Sequence, residues 1–257
     1  MPPSLEDPRS GHPRNPPDPR NPNLGAAAVE ITDVVRGYQA LRPLRLARLF
    51  VACGERVAVH GVDAGAAEVL VNLVTGAMLP EQGQVRVFGR ATSEIASGDE
   101  WLASLDRFGI VSPRAVMMEG ATVQQNLAMP FTLSIDPVPD EVARRVEELA
   151  AECGIDAEWL PATAGNTPPD VRARIHLARA LALEPVLVLL EHPTAGIEKV
   201  AAPRLASDVA QALESRRVTA LIITEDETFA ARTAHRRLRL QPATGELKPI
   251  RRGWFGR

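Results

Sequence analysis

Short apolar segments alternate along the chain with longer segments in which apolar residues recur every three or four positions. The short segments predict β-strands at residues 29–35, 44–51, 56–60, 84–88, 109–111, 186–190, 219–224 and 237–240. The longer segments predict helices at residues 68–78, 97–105, 122–127, 140–153, 170–183, 203–215 and 228–234. Strands that alternate with helices favour an α/β fold with a mostly parallel sheet and helices on both faces.

The middle of the chain departs from this alternation. Residues 113–174 show only helical periodicity and loops, with Pro139 before one helix and Gly154 after it. Two strands precede the first buried strand at residue 56. The pattern therefore predicts an α/β core with an N-terminal antiparallel β subdomain and an inserted α-helical subdomain.

The two ends of the chain differ in composition from the body. Residues 1–27 hold eight prolines and almost no large apolar residues, which predicts a disordered tail or, alternatively, a proline-rich recognition segment. Residues 248–257, ending in RRGWFGR, predict a solvated basic and aromatic tail, with contact to an anionic membrane surface as the alternative. The domain itself is expected at residues 28–247.

Composition excludes several classes of function. A net charge of −3 gives no electrostatic basis for nucleic acid as the main partner. Cys53 and Cys153 suggest neither a disulfide framework nor a metal site, and we expect both to be reduced and buried. No apolar run reaches the roughly 20 residues that span a bilayer, and the N-terminus lacks an apolar export signal. These features favour a cytoplasmic protein.

The segment RVAVHGVDAGAAEVLVNLVTG, residues 56–76, predicts a buried strand, a turn of small residues and a helix that opens near Glu68. This layout is typical of a phosphate-binding loop, in which backbone N–H groups and a helix N-terminus face an anion. The lysine and the hydroxyl residue of that motif are absent, since Ala67 and Glu68 stand at their positions. The sequence thus predicts the strand, turn and helix of the motif but lacks the side chains that bind phosphate and Mg²⁺.

Further segments extend this match along the chain. They comprise Pro80, Gly83, Val85 and Gly89, then Thr122, Val123 and residues 126–130, then Arg172, Arg174 and residues 178–181, and finally residues 189–198. In this order they resemble the ATP-binding subunits of ABC transporters over about residues 29–247. The resemblance implies a P-loop NTPase core of the RecA type that carries the two subdomains described above.

The resemblance also assigns a role to each position of a nucleotide site. The ATP-binding residues would be Tyr38, on which the adenine ring stacks, and the loop residues Gly61, Val62, Asp63, Ala64, Gly65, Ala66, Ala67, Glu68 and Val69. Glu191 takes the position of the acid that holds Mg²⁺, His192 that of the general base, and Glu225 that of the switch histidine. Glu198 replaces the aspartate of the D-loop.

Most of these positions hold residues that cannot perform the family's chemistry. Pro113 replaces the glutamine that senses the γ-phosphate, and the sequence TPPDV at residues 167–171 replaces the signature motif. Losing lysine, metal ligand and base together removes the positioning and charge stabilisation on which phosphoryl transfer depends. We therefore expect weak or absent ATP hydrolysis. The resemblance implies that the protein binds ATP and Mg²⁺, whereas these replacements argue against such binding.

Two residues leave alternatives open. Glu68 either mimics or blocks a phosphate near the helix N-terminus, or it stabilises the first helical turn. His192 is either a base or a structural residue, and the absent lysine favours the structural role. Since Glu68, Asp170 and Glu225 place carboxylates where phosphate would be handled, we expect the site to repel anions.

Three functional hypotheses are consistent with the sequence. The first is a non-hydrolysing subunit that docks onto a transmembrane permease at the inner face of the cell membrane, through a groove around residues 113–130. The second is a subunit that binds and hydrolyses ATP at an atypical site, and the third is a cytosolic scaffold without a membrane partner. The resemblance also implies pairing with a second ATPase subunit or with another copy of the chain.

Overall fold

The computed structural model describes residues 26–250, which form two β-sheets and the helices packed around them. The strands are β1 (Ala27–Arg36), β2 (Leu44–Ala52), β3 (Arg56–His60), β4 (Gln82–Val87), β5 (Arg90–Ala91), β6 (Phe108–Val111), β7 (Leu187–Glu191), β8 (Thr219–Ile223), β9 (Arg236–Leu240) and β10 (Leu247–Pro249). The α-helices are α1 (Ala64–Val74), α2 (Gly98–Leu105), α3 (Val123–Ala128), α4 (Asp140–Glu152), α5 (Pro169–Leu181), α6 (Ala202–Ser215) and α7 (Glu227–Thr233). Short 3-10 helices lie at Thr92–Glu94, Ala157–Trp159 and Ala164–Asn166.

The larger sheet has the strand order β10-β9-β3-β8-β7-β6. Strands β9, β3, β8, β7 and β6 pair in parallel, and β10 joins the edge in the antiparallel sense. Every residue of β3, β7 and β8 is buried, as expected for central strands that helices cover on both faces. The structure confirms the predicted α/β core with a mostly parallel sheet.

The smaller sheet, in the order β2-β1-β4-β5, is antiparallel and confirms the predicted β subdomain. The sequence did not predict β5 or β10. Each has only two or three residues at a sheet edge, which is too short to show an alternation of apolar and polar positions.

Helix α1 packs within an apolar cluster formed by both sheets. Seven of its residues are buried, namely Ala66, Ala67, Val69, Leu70, Val71, Leu73 and Val74. The cluster also contains apolar residues of β1, β2, β3, β7, β8 and β9. The position of α1, and with it the turn after β3, is therefore fixed by packing on both sides.

The chain leaves the larger sheet at the end of β6, forms the helices α3 to α5 and returns at β7. Thr122 begins α3 with a capping box, in which it exchanges hydrogen bonds with Gln125. The buried amide of Asn126 binds both the N–H and the carbonyl of Met118, at 2.9 and 3.0 Å. We call residues 112–118 the entry segment of the helical insert; its end is thus held by α3.

The predicted elements match the observed ones to within two residues at each boundary, with α1 as the exception. This helix begins at Ala64 rather than near Glu68, and it ends at Val74. Its early start changes the geometry of the loop, for reasons given with the site below.

The predicted tails lie largely outside the described residues, at 1–25 and 251–257. Strand β1 begins at Ala27 and β10 ends at Pro249, so both pass the predicted domain limits of 28 and 247. Cys53 and Cys153 are buried and free, as expected. No helix within residues 26–250 has the length and apolar character that crossing a bilayer requires.

Gly109 of β6 lies where this strand comes closest to α5. A Cβ atom here would lie 2.4 Å from the carbonyl oxygen of Ala180. Because backbone cannot move aside as a flexible side chain can, we expect Gly109→Ala to lower the free energy of unfolding by about 2 kcal/mol or more. Gly120→Ala is the control, since nothing lies within 4 Å of an added Cβ, and its loss should stay below about 0.5 kcal/mol. Urea unfolding measures both, and equal losses would contradict the close approach.

Candidate functional site

The candidate site lies where four neighbouring parallel strands reach their carboxyl ends. Gly61 follows β3, Glu225 follows β8, Glu191 ends β7 and Ser112 follows β6. Since the strands are adjacent in the order β3-β8-β7-β6, residues distant in sequence meet at this edge. Ligands of open α/β sheets bind in such a crevice.

The carboxylate of Glu225 binds the backbone of the loop. Its Oε1 atom accepts hydrogen bonds from the N–H groups of Gly61 at 2.6 Å and Val62 at 3.2 Å. In a phosphate-binding loop, amides of this kind face the anion. The residue at the switch-histidine position therefore supplies an anion to the loop and offers no donor to a phosphate.

Helix α1 begins a full turn earlier than the sequence indicated. Asp63 is its N-cap, because its Oδ1 atom accepts from the N–H of Ala66 at 2.9 Å and its carbonyl accepts from Ala67 at 2.8 Å. Alanine is a strong helix former, whereas glycine at these positions would disfavour the helix. The prediction of a helix opening near Glu68 was wrong. The amides of Ala66 and Ala67 are bonded within the chain.

Glu68 is the fifth residue of α1, beyond the first turn. Its Oε1 atom lies 2.7 Å from Nη1 of Arg114, in the entry segment. The interpretation of Glu68 as a residue that stabilises the first helical turn was therefore wrong, while its interpretation as a residue that mimics or blocks a phosphate stays a prediction. The early helix start moves this residue past the first turn, and it is Glu225 that occupies the amides of the loop.

Arg114 binds the carboxylate of Glu191 with two hydrogen bonds. Nη2 donates to Oε2 at 2.6 Å and Nε donates to Oε1 at 3.2 Å, while the hydroxyl of Ser112 donates to Oε2 at 3.0 Å. The side chain of Glu191 is 2% exposed and that of Arg114 45%. The hydrogen bond to Glu191 raises the pKa of Arg114 above its ordinary value.

Arg114 and Ser112 were not identified from the sequence. The resemblance aligns the γ-phosphate-sensing glutamine with Pro113, which lies between them, and a proline side chain offers no hydrogen bond. Arg114 could have been identified by its charge, since an arginine beside that position can pair with the acid at the end of β7.

His192 has a strained backbone, with φ at 42°. Its N–H donates to the carbonyl of Ile223 at 2.8 Å, and its Nε2 atom is buried without a hydrogen-bond partner among the described residues. A general base needs a hydrogen bond to the group whose proton it takes and an orienting partner for its ring. The geometry supports the structural interpretation of His192. Glu198, at the D-loop position, is exposed.

The ring of Tyr38 lies against the start of α1. Its hydroxyl donates to Oδ2 of Asp63 at 3.0 Å, and a Cβ atom on Gly65 would lie 3.1 Å from two ring carbons. Burial, followed by the hydrogen bond to Asp63, raises the pKa of Tyr38. The residue assigned to adenine stacking thus contacts the loop itself. An open cleft of about 450 Å³ remains beside it, with a lining that includes Tyr38, Leu41, Arg42, Arg45 and Asp63.

The segment at the signature-motif position is also bonded within the chain. Helix α5 begins with Pro169 after Pro168, and prolines have no N–H to offer a phosphate. Asp170 lies 2.8 Å from the buried guanidinium of Arg174, which also binds Asp208 at 2.7 Å. Two of the three carboxylates that were expected to repel anions are therefore paired with cations, while Glu225 keeps its negative charge at the loop. Glu68 and Asp170 are neutralised by arginines, and Glu225 is held by backbone amides.

The groups that would bind a phosphate and a divalent cation are already bonded to other side chains of the protein. Glu225 occupies two loop amides, and both oxygens of Glu191 accept from Arg114. Within residues 26–250, no group of three or more His, Cys, Asp or Glu side chains is arranged to hold a metal ion. ATP and Mg²⁺ therefore do not fit the site in this conformation.

Tyr38 is the single tyrosine of the chain, so its ionisation can be measured alone. Because burial and Asp63 raise its pKa, the native hydroxyl should stay protonated at a pH where the urea-unfolded chain, with a pKa of about 10, already ionises. Asp63→Asn should lower the native midpoint, and Asp106→Asn, on an exposed residue, should not. Spectrophotometric titration of tyrosinate, with circular dichroism to verify folding, measures the midpoints. Coinciding native and unfolded midpoints would contradict the contact.

Comparison with known proteins was made by sequence and by structure. No protein-family model matches the chain. The Fe(3+) ions import ATP-binding protein FbpC of Serratia marcescens is 25% identical over 205 residues, which cover 79% of this chain and 57% of that protein. The lipoprotein-releasing system ATP-binding protein LolD of Chromohalobacter salexigens is 29% identical over 199 residues, covering 76% of this chain and 81% of LolD. The chain thus spans little more than half the length of the first relative.

Comparison with solved structures finds the same class of protein as the sequence comparison. The dimeric, post-hydrolysis ATP-binding cassette MJ0796 bound to ADP and Pi superposes with a TM-score of 0.71 at 19% identity, covering 87% of this chain and 99% of that one. The protein cbiO1 of Clostridium perfringens, part of the ABC transporter complex cbiONQ, gives 0.70 at 18% identity, covering 88% and 87%. The chain is therefore a relative of the ATP-binding subunits of ABC transporters, and it has the fold of their ATP-binding cassette.

Proposed function

We propose that this protein is a non-hydrolysing, cassette-like subunit that docks onto a membrane permease and regulates it. The observation that supports this proposal best is the carboxylate of Glu225 on the amides of Gly61 and Val62. A phosphate can reach these donors only after displacing a charge-assisted hydrogen bond, which contributes about 1.5–3 kcal/mol, nearer the lower value for an exposed carboxylate. No lysine stands at position 67 to offset that cost.

The catalytic side of the site supports the same proposal. Glu191 is bound to Arg114 and Ser112, so its oxygens are engaged, and within residues 26–250 the buried Nε2 atom of His192 has no hydrogen-bond partner. Phosphoryl transfer relies on simultaneous positioning of metal, phosphates and water. With all three contributions absent, the residual rate enhancement is expected to be small.

Pairing with another cassette does not supply the missing groups. In the family, each composite site combines one subunit's phosphate loop with the other's signature motif. Here the loop holds Glu225, and the segment at the signature position begins α5 with two prolines and the paired Asp170. A homodimer would have no intact site. With an intact partner, each of the two composite sites would still contain one defective part from this chain.

The surface of the insert supports docking. Val116 and Met118, in the entry segment, are 83% and 44% exposed, while Met117 and Phe131 pack against the core below them. Apolar side chains on a firmly held segment are suited to a protein contact. Since relatives are named as import or release ATP-binding proteins, the partner we propose is a permease at the cytoplasmic face of the membrane.

A second candidate function is ATP binding in an atypical mode. The open cleft beside Tyr38 favours it, because Arg42 and Arg45 line this cleft and could pair with phosphates away from the loop. This candidate predicts nucleotide affinity without the Mg²⁺ contacts of an ordinary cassette. The following measurement separates it from the main proposal.

The purified chain is expected to show no Mg²⁺-ATP hydrolysis above background and no calorimetric binding up to about 1 mM, the upper end of ordinary KM values. The reason is that the loop amides and Glu191 are bonded to the chain's own side chains. A hydrolysing cassette assayed in parallel is the positive control. ATP turnover that Glu191→Gln or His192→Ala abolishes would overturn the proposal. Binding without turnover, lost in Arg42→Met, would favour the atypical mode.

Membrane attachment is expected to depend on the permease. The chain should sediment with membranes that contain its permease and stay soluble in cells that lack it. Val116→Asp should weaken this attachment about tenfold or more, because it places a charge in the apolar contact. Leu133→Asp, on a fully exposed apolar residue of the insert outside the entry segment, is the control. A chain that remains soluble in both kinds of cell would favour the scaffold hypothesis instead.

A further inference from the structure

We propose that the guanidinium of Arg114 is the resident cation of this site, taking the place of a divalent ion and fastening the entry segment to the sheet. The inference rests on the proposed function in one respect, since it requires that no nucleotide-bound metal competes for Glu191. It goes further in stating what holds the insert when no ligand is present.

The geometry places Arg114 between three elements. It belongs to the entry segment, it binds Glu191 at the end of β7 through two nitrogens, and its third nitrogen lies 2.7 Å from Glu68 of α1. All three guanidinium nitrogens are thus used. A lysine could not reproduce this arrangement, because its ammonium lacks the planar fork that binds a carboxylate with two parallel bonds.

The ligands around Arg114 resemble those of a hard cation. The guanidinium contacts two carboxylates, those of Glu191 and Glu68, and the hydroxyl of Ser112 bonds to Glu191 beside them. Carboxylate oxygens are ligands of the type that Mg²⁺ and Mn²⁺ prefer. A carboxylate as buried as that of Glu191 needs a positive partner. Arg114 supplies the positive charge permanently, since a guanidinium does not deprotonate in proteins.

The same segment is held at two further points. Nη1 of Arg179 in α5 donates to the carbonyl of Val116 at 2.7 Å, and Asn126 in α3 binds Met118. The entry segment is therefore bonded to the sheet through Arg114 and to the insert through Arg179 and Asn126. A metal ion would make the first of these connections conditional on ligand, whereas an arginine makes it constant.

Hydrogen exchange of the wild-type chain and two variants tests the proposal. Arg114→Met should speed amide exchange in residues 112–118 about tenfold, because the bonds to Glu191 and Glu68 are lost. Arg144→Met, on an exposed residue of α4, removes an arginine of the same type and should leave the entry segment unchanged. Glu68→Gln keeps the buried pair and should give a smaller increase of about threefold, so the test survives if Arg114→Met unfolds.

A metal titration gives the second readout. Electron paramagnetic resonance should detect no bound Mn²⁺ in the wild-type chain, while Arg114→Met exposes Glu68, Glu191 and Ser112 and should bind Mn²⁺ with slowed exchange of the entry segment. Unchanged exchange in both Arg114→Met and Glu68→Gln, or equal Mn²⁺ binding by wild type and Arg114→Met, would overturn the proposal. ATP turnover by the wild type would instead contradict the proposed function, so the two failures are distinguishable.

Discussion

The buried carboxylate of Glu191 is the constraint around which the site is arranged. It lies at the end of β7, almost wholly removed from water, and an unpaired charge in that position would cost several kcal/mol. In an ATP-binding cassette a hydrated metal ion answers this need. Here Arg114 and Ser112 do so, and the entry segment must take the path that brings both to Glu191. One electrostatic requirement therefore fixes the start of the helical insert.

The loop after β3 needs a negative charge, just as Glu191 needs a positive one. Its amides concentrate partial positive charge, and Glu225 satisfies two of them. A bound nucleotide would place a negative charge at the loop, and its metal ion would place a positive charge at Glu191. Here the side chains of Glu225 and Arg114 supply these two charges. The apolar packing of α1 between the sheets holds the loop in place for Glu225, so the core and the polar site depend on each other.

The sequence was sufficient for the fold and insufficient for these pairings. Strands β7 and β8 could be predicted because each contains four apolar residues in succession, and a short apolar run is typical of a strand that helices cover on both faces. The loop was misjudged because its family layout was given more weight than the local signal, in which Asp63 followed by Ala64 is an N-cap before a good helix former. Glu225 was located, but its partner Gly61 lies 164 residues away, and only the strand order brings them together. Arg114 could not be assigned by position, since its role comes from standing next to the aligned residue.

If side chains of the protein supply the charges that Mg²⁺ and nucleotide would bring, as we propose, nucleotide binding no longer determines the conformation. In the family's mechanism, the segment at the start of the insert responds to the γ-phosphate, so the position of the insert reports the nucleotide state. With the entry segment bonded to Glu191 and Glu68 by Arg114, no bound ligand is needed to hold that position. Any change of the insert must then come from a partner that contacts it, since a ligand can shift a conformational equilibrium only by its differential affinity for the two states. The exposed side chains of Val116 and Met118 lie on the segment through which such a contact would act. Under the proposed function, control of the insert therefore lies with a partner bound at these side chains and no longer with a nucleotide.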